Sequence, residues 1–245
     1  MNPNRGYTVF VGRPSCFSWS SWRWLQAIAI AVLLLLPVGA NPAQAVAGPA
    51  SDPSTAHVYL LRGVLNIFSL GLDDIAAKLR AQGVPVTVAN FASWSSLADE
   101  AAAGYRSGKL KTIILIGHSS GATALPDMVA KLDQLGVPVK LAIGLDSVFR
   151  TSLKGRVGRY INFYIANGAG TPVEKTMEFQ GQLENVNVQD VPGVGHMSIE
   201  KNQIMQQKVI SEIDSVVLGR SVKQPQPAGA GAVRHGAASA AAVRN

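Results

Sequence analysis

"KTIILIGHSSGATALPDMV", residues Lys111 to Val129, passes from a run of β-branched and apolar residues through Gly-His-Ser-Ser-Gly directly into a helix-like pattern. GxSxG is a weak pattern by itself, but between a strand and a helix it acquires a mechanical meaning. On a sharp strand-to-helix turn, side chains at the flanking positions would collide with the neighbouring strand and helix, so glycine is needed there. The turn lifts the hydroxyl of Ser119 clear of the sheet. It also puts the amide of Ser120 at a helix N-terminus, where it can stabilise an oxyanion. An ordinary turn is the alternative, and the rest of the chain has to decide.

The pattern around this stretch alternates. "HVYLL" (57–61) and "VPVTVANF" (84–91) have the β-branched and aromatic content of strands. Between them, "SLGLDDIAAKLRAQG" puts Leu72, Ile75, Ala76 and Leu79 on one face of a helix that stops at Gly83. A helix over 96–106, a strand over 112–116, a helix from about Ser120 to Leu135 and a strand over 139–145 follow. After a basic loop come strands over 160–166 and 186–191 and a helix over about 199–218. Near-continuous apolar strands alternating with amphipathic helices predict an α/β fold: a mostly parallel sheet of about six strands with helices on both faces, a three-layer sandwich. Ligands of such sheets bind outside the carboxyl ends of the strands. Proline at position 126, inside the helix after Ser119, removes a hydrogen bond and predicts a kink.

The two ends differ from the middle. Arg5, Arg13 and Arg23 precede an apolar run from Leu25 to Val38, and "GANPAQA" then offers Ala43 and Ala45 to a signal peptidase. A retained anchor is the alternative, but a spanning helix needs about 20 apolar residues, and Pro37 and Gly39 close the run early. We therefore expect a signal peptide over 1–45, cleavage near Ala45, and an exported mature chain with no stable membrane span. A linker over 46–56, a folded domain over 57–220 and a disordered Ala/Gly/Pro-rich tail over 221–245 complete the organisation.

Charge follows the same division. Of 22 basic residues, three lie in the leader and three in the tail, leaving 16 against 15 acidic residues in 46–220. The high pI is thus a property of the ends, and a nucleic-acid partner is not expected. The single cysteine, Cys16, lies in the leader, so the mature chain has no thiol or disulfide chemistry.

A serine hydroxyl needs a base within hydrogen-bond reach. Of four histidines, His235 is in the tail, His57 opens the first strand at the far edge, and His118 sits in the turn itself. His196 remains, in "VPGVGHMSIEKN" beyond the last strand; a histidine that merely caps the last helix is the alternative. For the orienting acid, Asp146 ends the strand after the Ser119 helix, in "LAIGLDSVF". Asp190 is the rival, within the expected last strand; "ANGAGTPVEK" offers only Asn167 and Glu174. The second oxyanion donor is sought after the first strand, at the amide of Gly63 or Val64, with Arg62 an alternative. Val64, Leu65, Ile67 and Phe68 form either an apolar lip or core.

With "GHSSG", the "RG" turn, "LDSV" and "GVGHMSI" in place, segment 57–218 resembles the α/β-hydrolase superfamily, as a small lipase- or esterase-like version that begins at the family's third strand. Its acid stands one strand earlier than in most members. The resemblance implies acyl transfer to water through Ser119, His196 and Asp146, on a small-molecule or lipid acyl ester with an apolar acid part. It implies no cofactor, and no zinc-spaced cluster or phosphate-binding glycine loop is present. A thioesterase or acyltransferase would use the same residues, and a peptidase is a further option. A catalytically silent binding domain is the alternative from another class.

Overall fold

The computed structural model describes residues 52–219, apart from 65, 67 and 68. The expected leader, tail and most of the linker, like Leu65, Ile67 and Phe68 of the expected lip, lie outside the described residues. The elements in chain order are β1 (Ala56–Arg62), α1 (Gly71–Ala81), β2 (Val86–Asn90), α2 (Trp94–Arg106), β3 (Thr112–His118), α3 (Ser120–Gln134) and β4 (Val139–Leu145). There follow β5 (Ser152–Leu153), β6 (Arg156–Tyr164), β7 (Glu174–Lys175), β8 (Gln180–Asn187) and α4 (Gln203–Val217). Six strands form one sheet in the order β2-β1-β3-β4-β6-β8, and each adjacent pair is parallel. β5 and β7 form a separate two-stranded pair.

Side chains alternate across a strand, and here each set finds its own helices. Leu60, Ile114, Ile116 and Ile143 pack against Leu72, Ile75 and Leu79 of α1 and against Met205, Val209 and Ile213 of α4. Tyr59, Leu61, Ile113 and Leu115 pack against Leu97 and Ala101 of α2 and Leu125, Met128 and Leu132 of α3. The result is a three-layer α/β sandwich compatible with an α/β-hydrolase-like fold. Every residue of β3 is buried, as expected of a central parallel strand covered on both faces. Pro126 lies inside α3, which continues as one helix to Gln134. Among the described residues, no helix is long and apolar enough to cross a membrane.

Two expected strands are displaced. β6 begins at Arg156 rather than 160, and the last strand occupies 180–187 rather than 186–191. Val188 and Val191 pack on the core from a turn, which produced an apolar pattern without a strand. The true edge strand, "QGQLENVN", is largely exposed and is defined by its pairing with β6. Asp190 therefore sits exposed in a turn beyond β8, not within the last strand.

The chain runs outward from β1 to β2, then returns to the other side of β1 to lay down β3 and continue to β8. The loops after β1 and β3 thus diverge at the topological switch point, where a crevice opens outside the carboxyl ends of the strands. Gly63 and Ser119 meet there: a Cβ added to Gly63 would lie 3.1 Å from Cβ of Ser119.

Candidate active site

Ser119 is the first residue beyond β3, and its backbone adopts φ 59°, ψ −122°. A non-glycine residue at positive φ is uncommon and strained. The neighbouring glycines show why the chain accepts it. A Cβ on Gly121 would lie 2.0 Å from the carbonyl oxygen of Leu61, and one on Gly117 would lie 2.4 Å from the backbone of Gly121. At both positions a side chain would force main chain to shift. The Ser119 amide donates to the Leu145 carbonyl at 3.0 Å, pinning the turn to the adjacent strand. Ser120 opens α3, so its amide has no acceptor within the helix.

His196 lies in the loop between β8 and α4. It does not cap α4: the Asn202 side chain does, accepting from the amides of Ile204 and Met205. His196 Nδ1 lies 2.6 Å from Asp146 Oδ2. Because a carboxylate only accepts, Nδ1 carries the proton and Nε2 keeps a lone pair, 3.1 Å from Ser119 Oγ. Asp146 is fully buried. Its other oxygen accepts the amide of Ile165 at 2.9 Å, and Gly170 passes so close that a Cβ there would lie 1.9 Å from Oδ1. Hydroxyl, imidazole and buried carboxylate in this order form the arrangement that raises the nucleophilicity of a serine. Asp190 takes no part in it; neither do Asn167 and Glu174, which are exposed on the loop and short strand after β6. His57 is distant, as expected, with Nε2 2.8 Å from Thr87 Oγ1.

The loop after β1 differs from expectation in one respect. The amide of Gly63, one of the two expected oxyanion donors, donates to Ser69 Oγ at 3.1 Å. Val64, whose amide makes no hydrogen bond to another described residue, lines the site and is 61% exposed. The Arg62 guanidinium pairs with Asp73, which draws it toward α1. The cleft has a volume of about 220 Å³ and is lined by Gly63, Val64 and Ser69, by His118 and Ser119, and by His196 and Met197.

His118 is the residue whose part the sequence reading missed. Its imidazole is buried, with Nδ1 2.8 Å from Ser69 Oγ and Nε2 2.8 Å from the carbonyl oxygen of His196. Burial pushes it down to about 4, opposed in part by the bond to that carbonyl. Glu200, also buried, lies 3.7 Å from His118 Nε2 and 3.5 Å from Lys201 Nζ; burial raises its pKa, opposed in part by Lys201. A histidine closing the run Ile113–Gly117 of otherwise apolar strand residues was the one available signal.

Among the described residues, no group of three or more His, Cys, Asp or Glu side chains could hold a metal ion. No protein-family model matches this chain, and no curated protein matches it.

Proposed function

We propose that the protein is a serine hydrolase of the α/β-hydrolase type that cleaves an acyl ester through an acyl-enzyme intermediate. One observation carries this reading: the continuous line from Ser119 Oγ to His196 at 3.1 Å and from His196 to a buried Asp146 at 2.6 Å, beginning on a backbone held at φ 59°. Strain at a positive φ persists only where the surroundings enforce it. Here it exposes the hydroxyl that such chemistry uses.

In this mechanism Ser119 Oγ attacks the ester carbonyl carbon as His196 Nε2 takes its proton. Asp146 holds the ring and stabilises the imidazolium that forms. The developing oxyanion is met by the amide of Ser120 at the start of α3 and by that of Val64. Collapse expels the alcohol, which receives the proton from His196; water, deprotonated by the same nitrogen, then attacks the acyl carbon, and the bond to Ser119 Oγ breaks as that oxygen takes the proton back from His196, releasing the acid. Exposed Val64 and Met197 at the cleft support an apolar acyl part. A cleft of about 220 Å³ is below the range of about 300–1,000 Å³ that encloses a whole drug-sized ligand, so short acyl chains fit best with the alcohol outside. The leader expected over residues 1–45 supports an exported site of action.

The test is hydrolysis of p-nitrophenyl esters of increasing chain length by the chain from Val46, beside Ser119→Ala and His196→Ala. We expect turnover greatest on short chains and lost in both variants. A folded wild-type protein inert to the whole series contradicts the proposal.

A further inference from the structure

Behind the reacting groups runs a second hydrogen-bonded line that acyl transfer itself does not require. It begins at the amide of Gly63, which donates to Ser69 Oγ at 3.1 Å. It continues from Ser69 to His118 Nδ1 at 2.8 Å and ends at His118 Nε2 and the carbonyl of His196, also 2.8 Å apart. Ser69 and His118 are each 1% exposed. One imidazole thereby joins three segments far apart in sequence: the loop after β1, the end of β3 and the loop before α4.

The protons along this line have a single arrangement. A carbonyl oxygen only accepts, so His118 Nε2 carries the hydrogen, and Nδ1 of the neutral ring is left as an acceptor. Ser69 must then donate to Nδ1, which leaves its oxygen lone pairs for the amide of Gly63. Burial keeps His118 neutral at neutral pH. The Nδ1 lone pair on which Ser69 depends is thus preserved.

We propose that His118 and Ser69 are positioning residues for the Ser119 reaction: through one imidazole they hold the loop bearing Gly63 and Val64 and the main chain of His196 at a fixed separation. This rests on the serine-hydrolase reading above. Neither residue touches the reacting atoms in this role. Loops move more than the strands that carry them, whereas the transition state needs its oxyanion donors within about 2.7–3.1 Å, and a misplacement of about 1 Å can cost about 100-fold. The brace answers that requirement because the oxyanion loop and the base share one rigid ring. Its loss should fall on the transition state more than on ground-state binding.

The experiment compares wild type, Ser69→Ala, His118→Gln and the double variant, with kcat expressed per active site titrated by a fluorophosphonate. Ser69→Ala removes one oxygen atom and should fold; His118→Gln keeps a donor for the His196 carbonyl but loses the ring that spans both loops. We expect kcat to fall about 10- to 100-fold in each single variant, with KM changed less than about threefold. Inhibition by a trifluoromethyl ketone, which forms a tetrahedral adduct on the serine, should weaken by the same factor as kcat/KM. The double variant should be no worse than the weaker single one, since both break one line. A merely structural part would lower the titrated fraction and the melting temperature while leaving kcat per titrated site intact. If the wild type turns over and Ser69→Ala matches it within about twofold in kcat and ketone affinity, the brace is overturned and the hydrolase reading stands. A folded wild type that neither labels nor turns over overturns the hydrolase reading, and with it the reaction that the brace would serve.

Discussion

The ends of β3 and β4 are built alike and used differently. Gly117-His118-Ser119 and Gly144-Leu145-Asp146 leave neighbouring parallel strands in register, Gly117 opposite Gly144 and His118 opposite Leu145. In each, the residue after the strand donates its amide to the next strand, Ser119 to Leu145 and Asp146 to Phe163. Ser119 and Asp146 are the two non-glycine residues at positive φ among the described residues, at 59° and 51°. There the likeness stops. The chain after Ser119 turns at once into α3, which forces Gly117 and Gly121 against main chain and leaves the hydroxyl at the cleft. The chain after Asp146 enters a loop instead of a helix, and the carboxylate, met by the Ile165 amide and by Gly170 from beyond β6, is completely buried. One backbone device thus has two outcomes: at β3 it leaves a hydroxyl at the cleft, and at β4 it leaves a carboxylate buried.

The contrast can be tested from either side. Ser119→Ala removes the group that the first turn exists to present, and ester turnover should fall by at least about 10⁴-fold with the fold retained. Asp146→Asn, which favours the wrong tautomer of His196, should cost about 10³- to 10⁴-fold in kcat; a loss under tenfold would assign the acid to another residue. The two strand glycines should then separate in stability. Gly117→Ala drives a Cβ to within 2.4 Å of backbone and should cost about 3 kcal/mol. At Gly144 the nearest atoms are side-chain oxygens of Asn162 and Tyr160 at 3.4 Å, so Gly144→Ala should cost under about 1 kcal/mol. Urea unfolding of the two variants measures both.

A smaller effect follows from the histidine beside Ser119. His118 is held down to about 4 in the folded protein, against about 6.5 unfolded. Between these values the unfolded chain binds a proton that the folded one does not, so stability should fall by about 2–3 kcal/mol as pH drops from about 6.5 to about 4. His57, also lowered by burial, acts in the same direction. Glu200, raised by burial, acts oppositely: the folded protein retains a proton that the unfolded chain has lost, and this contribution disappears as pH rises through its folded value. Unfolding free energies of wild type and His118→Gln across this range should show a shallower acid limb in the variant. The opposite sign is expected from Ser119→Gly, which relieves the positive φ and should stabilise by about 1 kcal/mol. Asp146→Gly should not stabilise, because it removes the acceptor of the Ile165 amide.

The turn at Ser119 was legible in the sequence because its constraints are local. Two glycines, a β-branched run and an amphipathic helix lie within twenty residues, and steric exclusion at Gly117 and Gly121 writes itself directly into residue type. The central strands of the parallel sheet, β1, β3 and β4, were legible for a related reason, since strands buried on both faces are near-continuous apolar runs. What escaped depends on distant neighbours. β8 is a polar edge strand, formed by pairing rather than burial, and the valines beyond it imitate a strand from a turn. The commitment of the Gly63 amide to Ser69, and of Ser69 to His118, joins residues up to 49 positions apart. No periodicity records such a contact.

The most direct test of the central claim is the site and stoichiometry of labelling by a fluorophosphonate, read by peptide mass spectrometry on the wild type and on His196→Ala. A nucleophile activated by the observed line of hydrogen bonds should take up about one label per chain, on Ser119, with labelling lost in His196→Ala. A folded wild type that takes up no label, or carries it on another residue, contradicts the account.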